Sequence, residues 1–228
     1  MRVLQKSWIF TILLVVCLGW TASAAASPAA VGIATYDHGE GAAWGTAGWP
    51  DMEFGAVVGQ SSLADVGGRL RLSYGDGQTF GGFGAQAAAL LRLRVANVAG
   101  WAVGLVCEPA VFVHGGAANW APYVKANGSK TVSLFGLEPG LPWLAAGTWL
   151  APELYVAFAL GVPLRVHLAP ETTLEVPVLA RVSAQYPLTK QWALVAGTEA
   201  GVAFFGPGAG APTYALNARL RVGLVWGM

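Results

Sequence analysis

The sequence predicts an all-β protein, a transmembrane antiparallel up-and-down β-barrel of eight to ten strands. Three observations predict it. The 228 residues are 55% hydrophobic and only 11% charged, with a mean hydropathy of +0.53, so part of the surface needs an apolar solvent. Past the N-terminus no run of about 20 apolar residues could serve as a spanning helix. The segment from Ala85 to Val106 comes nearest, but Arg92, Arg94, Asn97 and Gly100 interrupt it, and Pro142, Pro152, Pro163 and Pro177 cut the later stretches. Finally, the apolar residues recur with the period of two that places them on one face of a strand.

The elements follow in order. Residues 1–24 read as a secretory signal peptide: Arg2 and Lys6, an apolar core from Trp8 to Leu18, and cleavage after Ala24 or Ala26. Leu14-Val15-Val16 ahead of Cys17 lacks the small residue of a lipidation site, and Cys107 is the one cysteine of the remainder, which excludes an internal disulfide. Residues 25–228 form the barrel, with 25–62 either its first hairpin or an N-terminal tail. A first hairpin would pair Val31 to Tyr36 with Met52 to Gly59 through an external loop from Asp37 to Pro50. Eight strands would leave about 35 residues without structure, long for a compact protein, so ten is preferred.

Eight clearer strands run from Val66 to Gly75, Phe80 to Ala96, Trp101 to Val113, irregularly between Thr131 and Trp149, Leu154 to Leu168, Val176 to Tyr186, Trp192 to Phe204 and Tyr214 to Met228. In the last of these Tyr214, Leu216, Ala218, Leu220, Val222, Leu224, Trp226 and Met228 share one parity. Turn signals at Asp76-Gly77, Asn97 to Gly100, Leu150 to Glu153, Ala169 to Thr172, Pro187 to Gln191 and Gly206 to Pro212 join neighbours into a meander.

Arg69, Arg71, Arg92, Arg94, Arg165, Arg181, Arg219 and Arg221 all take the parity opposite the apolar set. Glu53, Glu108, Glu175 and Glu199 do so as well, and Glu138 can. An arginine facing lipid at mid-depth costs about 2 to 4 kcal/mol, so these side chains are expected to form a charge network in the lumen. A lipocalin-like carrier would have the reverse sense, polar outside and apolar within. The aromatics Trp101, Trp149, Tyr186, Trp192 and Trp226 are assigned to a girdle at one end, and Tyr74, Phe83, Phe204 and Tyr214 to one at the other.

Local motifs add little chemistry. Gly82-Phe83-Gly84 with Ala87 has the look of a dinucleotide fingerprint but leads into a strand. His38-Gly39-Glu40 lacks the paired cysteines of a zinc deaminase, and Asn127-Gly128-Ser129 reads as a turn. His38, His114 and His167, weak metal candidates, are expected together at the external end. Neither a Gly-x-Ser-x-Gly elbow nor a His-Glu-x-x-His helix is present. Without Arg2 and Lys6 the chain has 11 basic against 12 acidic residues, which gives nucleic acid no basic surface.

The signal peptide, the alternating strands through Met228, the turn Tyr186-Pro187-Leu188-Thr189-Lys190-Gln191-Trp192 and the terminal strand resemble the broad class of small bacterial outer-membrane β-barrel proteins. The chain departs from that class at its end, where Gly227-Met228 follows Trp226 in place of a final aromatic. The resemblance implies export through the periplasm to the outer membrane of a Gram-negative bacterium, with outer-membrane lipids and the barrel-assembly machinery as partners. A structural or loop-presenting barrel with a charge-filled lumen is expected, with no cofactor. A porin-like small-solute channel and an outer-membrane lipid-modifying enzyme are the alternatives.

Overall fold

The computed structural model describes residues 30, 32–33, 35–74, 82–117, 132–169, 172–206 and 214–227; the signal peptide assigned to 1–24 lies outside them. Their strands are β1 (Gly41–Trp49), β2 (Asp51–Ser61), β3 (Ala64–Ser73), β4 (Phe83–Val98), β5 (Trp101–Cys107), β6 (Ala110–Ala117), β7 (Val132–Glu138), β8 (Trp143–Ala151), β9 (Leu154–Gly161), β10 (Arg165–Ala169), β11 (Thr173–Pro187), β12 (Trp192–Phe205) and β13 (Tyr214–Gly227). Every pairing is antiparallel, and β13 pairs with both β12 and β1, which closes the sheet.

The thirteen segments make ten staves. β4 pairs with β5 along one half and β6 along the other, and β7 with β8, like β9 with β10, are halves of single staves. Proline causes the interruptions. Pro109 separates β5 from β6, Pro139 and Pro142 separate β7 from β8, and Pro163 separates β9 from β10. Proline has no N–H to give to a ladder, so rungs lapse where it sits in mid-strand.

The expected count of ten holds, but not the expected first strand. β1 is Gly41–Trp49, inside what the sequence suggested was an external loop, and it pairs with β2 from Gly41↔Val58 to Ala47↔Met52. Residues of the stretch assigned to that strand lie inside the barrel instead, where Ile33 is fully buried and Tyr36 nearly so. β1 is poor in apolar signal because Gly and Ala fill it, and tertiary packing supplies what propensity does not. The Trp44 indole covers Gly55 on β2, where an added Cβ would lie 2.2 Å from the ring. Its Nε1 donates to Glu53.

Alternation sets the two faces. The described residues include thirty-three exposed large hydrophobic side chains, most of them at outward strand positions, among them Phe83, Leu160, Leu220 and Leu224. The barrel ends are unequal. One end, called the near end, carries the C-terminus and connections of two, two, two and four residues, after β2, β4, β8 and β11. The far end carries Pro50 alone after β1, then connections of 9, 14, 3 and 8 residues.

Candidate functional site

The interior has two halves. Near-half positions other than Asp65, Arg92 and Gln185 are mostly small or apolar, and Ala42, Val57, Leu90, Val106, Trp143, Ala145, Val195 and Val225 form one buried cluster with Ala30, Ile33 and Tyr36 of the N-terminal segment. That segment is tied to the wall at several points. Ala30 N–H donates to Gln185 Oε1 at 2.9 Å, Arg92 Nη1 donates to the Ala30 carbonyl at 3.1 Å, and Tyr36 N–H donates to Asp65 Oδ1 at 3.0 Å. Thr35 Oγ1 donates to the Ser62 carbonyl, and the Arg92 guanidinium lies over the Tyr36 ring. Burial pushes the Tyr36 phenol up, with Arg92 opposing.

Far-half positions hold ion pairs. Strand register makes the first contacts: Glu53 faces Arg71, Glu199 faces both Arg181 and Arg219, and Arg165 faces Glu175 as direct cross-strand neighbours. Arg71 Nη2 reaches Glu53 at 3.0 Å, Arg181 Nε reaches Glu199 at 2.6 Å, and Arg165 Nη1 reaches Glu175 at 2.8 Å. Longer reaches tie distant walls together. Glu108, at the break before Pro109, receives Arg69 at 3.1 Å and Arg181 at 2.9 Å. Asp51 receives Arg71, Arg219 and Arg221, and Glu53 also receives Arg221.

Arginine suits this interior because a ten-stranded barrel is slightly wider than one that ordinary apolar side chains fill. A planar guanidinium also meets two carboxylates at once. Arg181 uses its flat face too, 3.6 Å above the Trp143 ring. Arg92 and Asp65 form a separate pair at 2.7 Å, and Arg165 joins Glu138 and Glu175, the latter 2.9 Å from His167 Nε2. Counted over these pairs, seven arginines meet seven carboxylates.

The structure places the other expected residues as follows. Arg94 stands outside the ion-paired set and donates to the Ser62 carbonyl at the near rim. Tyr74, Phe83, Tyr186, Trp192, Phe204, Tyr214 and Trp226 are exposed, and Trp101 lies against outward Phe158. Trp192 pairs with Trp226 at the near end and Phe204 with Tyr214 at the far end. Trp149 differs from its assignment to the outward-facing girdle of Trp101, Tyr186, Trp192 and Trp226: it shares the inward parity of Trp143 and Ala145 and packs on buried Tyr155, ring centroids 5.3 Å apart.

The three histidines do not converge. His114 and His167 are in the far half, beside Gly84 and Thr173, whereas His38 sits exposed at the near end with Nδ1 3.0 Å from the Gln60 carbonyl. The expectation of a common external end fails because it followed from the misplaced first strand. Among the described residues no group of three His, Cys, Asp or Glu side chains could hold a metal ion. Asp51 and Asp65, both fully buried, were missed. Parity could have found them, since Asp51 is two residues from Glu53 and Asp65 four from Arg69, one position beyond the apolar runs.

Fold and interior together define a closed, ten-stranded antiparallel β-barrel with an ion-paired core and an apolar exterior. No family model matches the chain, and no curated protein matches it either.

Proposed function

We propose that the protein is an integral outer-membrane β-barrel whose lumen is shut, with a structural or loop-presenting role. The observation that carries this reading is the inversion of the usual soluble pattern: apolar side chains cover the outside, and the ionic groups are paired within. Soluble monomers rarely expose contiguous apolar patches beyond a few hundred Å². Twelve residues separate Trp192 from Phe204 and Tyr214 from Trp226, and a tilted strand of that length rises about 30 Å, close to the apolar band of such barrels. Short connections at one end and mostly longer ones at the other also fit the periplasmic and extracellular sides.

Closure follows from the same interior. The N-terminal segment fills the near half, and paired guanidinium and carboxylate groups bridge the far half. The loop-presenting role draws on the length of the connection between β6 and β7, 14 residues whose sequence includes Trp120, Tyr123 and Lys125.

Expressed with its own leader in a Gram-negative host, the protein should fractionate with the outer membrane and migrate differently before and after boiling. Planar bilayers containing it should show no conductance above leak. Discrete conductance steps would replace this reading with a small-solute channel. Recovery as a soluble periplasmic protein would overturn the membrane assignment altogether.

A further inference from the structure

A cavity of about 160 Å³ separates the N-terminal segment from the ion-paired half. It is lined by Ala30 and Gly32 of that segment, by Thr46, Glu53, Arg69 and Arg221 of the polar half, and by Leu90, Val106, Trp143 and Ala145 of the apolar half. Three features suit it to a ligand. Thr46 Oγ1 and Arg69 Nε are buried without a hydrogen-bond partner among the described residues, although Arg69 as a whole is more than nine-tenths buried. An unmade donor in such a place carries a penalty that an incoming acceptor would remove.

The second feature is local charge. Paired arginines and carboxylates are equal in number overall, but the connected lattice beside the cavity holds five arginines (69, 71, 181, 219 and 221) against four carboxylates (51, 53, 108 and 199). One positive charge is in excess there. The third is the wall. β5 and β8 are paired up to Val106↔Trp143, and β6 and β7 resume at Ala110↔Glu138, so Cys107–Pro109 and Pro139–Pro142 face each other without ladder rungs. Val106, Glu108 and Trp143, which flank this seam, also line the cavity. The ladder is thus interrupted beside the cavity.

We propose that the cavity binds a small monoanionic amphipath, a carboxylate with a short apolar tail. The carboxylate accepts hydrogen bonds from Arg69 Nε and Thr46 Oγ1, and the tail lies against Leu90, Val106, Trp143 and Ala145. Size limits the tail, since an apolar cavity of roughly 150 Å³ holds one benzene molecule. Hexanoate is a suitable probe.

Calorimetric titration of hexanoate, hexanol and hexylamine into the detergent-folded chain tests this. Hexanoate should bind saturably to one site, hexanol about tenfold more weakly, and hexylamine not at all. Thr46→Val should weaken hexanoate about fivefold and leave hexanol unchanged. Ala145→Leu should abolish binding of both by filling the space. Unchanged heat-dependent migration checks the fold of each variant, and Thr46→Val suffices if Ala145→Leu does not fold. Equal uptake of all three compounds, unaffected by either substitution, would report detergent partitioning and overturn the proposal. Absence of saturable hexanoate binding to the folded wild-type chain would do the same. Neither result bears on closure of the barrel, which conductance decides.

Discussion

Glu53 is where the interior charge converges most densely: Arg69, Arg71 and Arg221 surround it, and Trp44 Nε1 donates to it. Removing one partner from a buried ionic group strands the others without solvent, at a cost of about 3 to 5 kcal/mol. Glu53→Gln should therefore lower stability by about that much in urea unfolding of the detergent-folded chain. Glu138→Gln leaves Arg165 still paired with Glu175, so its cost should be smaller, about 1 to 3 kcal/mol. Equal losses for the two would mean that Glu53 is not the centre of the lattice. Alternation in the sequence was enough to put these residues on one side of the wall. It could not name their partners, because pairing depends on register between strands and on reach across a lumen whose width the strand count decides.

At the scale of elements, the N-terminal segment and β1 exchanged the roles that local composition suggested. Val31 to Tyr36 is rich in β-formers and reads as a strand, whereas Gly41–Trp49 has small residues on both parities and reads as a loop. The long strands β11, β12 and β13, each 14 or 15 residues with one apolar face, were legible because period two is unbroken in them. What decided the N-terminal region was not local: Gly55 accommodates Trp44, and β13 needs a second neighbour to close the sheet. Prolines were read as breaks in hypothetical helices and as turn residues, whereas Pro109, Pro139, Pro142 and Pro163 divide three staves. If Ala30, Ile33 and Tyr36 pack in the lumen as described, Ile33→Cys in a cysteine-free background should react with a water-soluble maleimide at least about tenfold more slowly than Gly39→Cys at the exposed near rim. Asp65→Asn, which disturbs both the Arg92 pair and the acceptor for Tyr36 N–H, should speed the reaction at position 33. Equal rates at positions 33 and 39 in the parent chain would show that the segment does not occupy the lumen.

For the whole molecule the question is which solvent the outside meets, and the outward face of β13 offers a graded test. Tyr214, Leu216, Leu220, Val222, Leu224 and Trp226 are all exposed along it, with Leu220 midway between the terminal aromatics. On the membrane reading, Leu220→Arg places a guanidinium at the centre of the apolar band and should cost about 2 to 4 kcal/mol, while Tyr214→Arg near the interface should cost about 0 to 1 kcal/mol. In water the two substitutions have no reason to differ, since exposed surface changes usually stay within about 0.5 kcal/mol. Urea titrations of the chain folded in phospholipid vesicles would measure both. A depth profile peaking at Leu220 supports an apolar surround that no soluble oligomer would reproduce across the same strand. A flat profile would remove the membrane, and with it the reason why every arginine of the ion-paired interior is kept off the outer face.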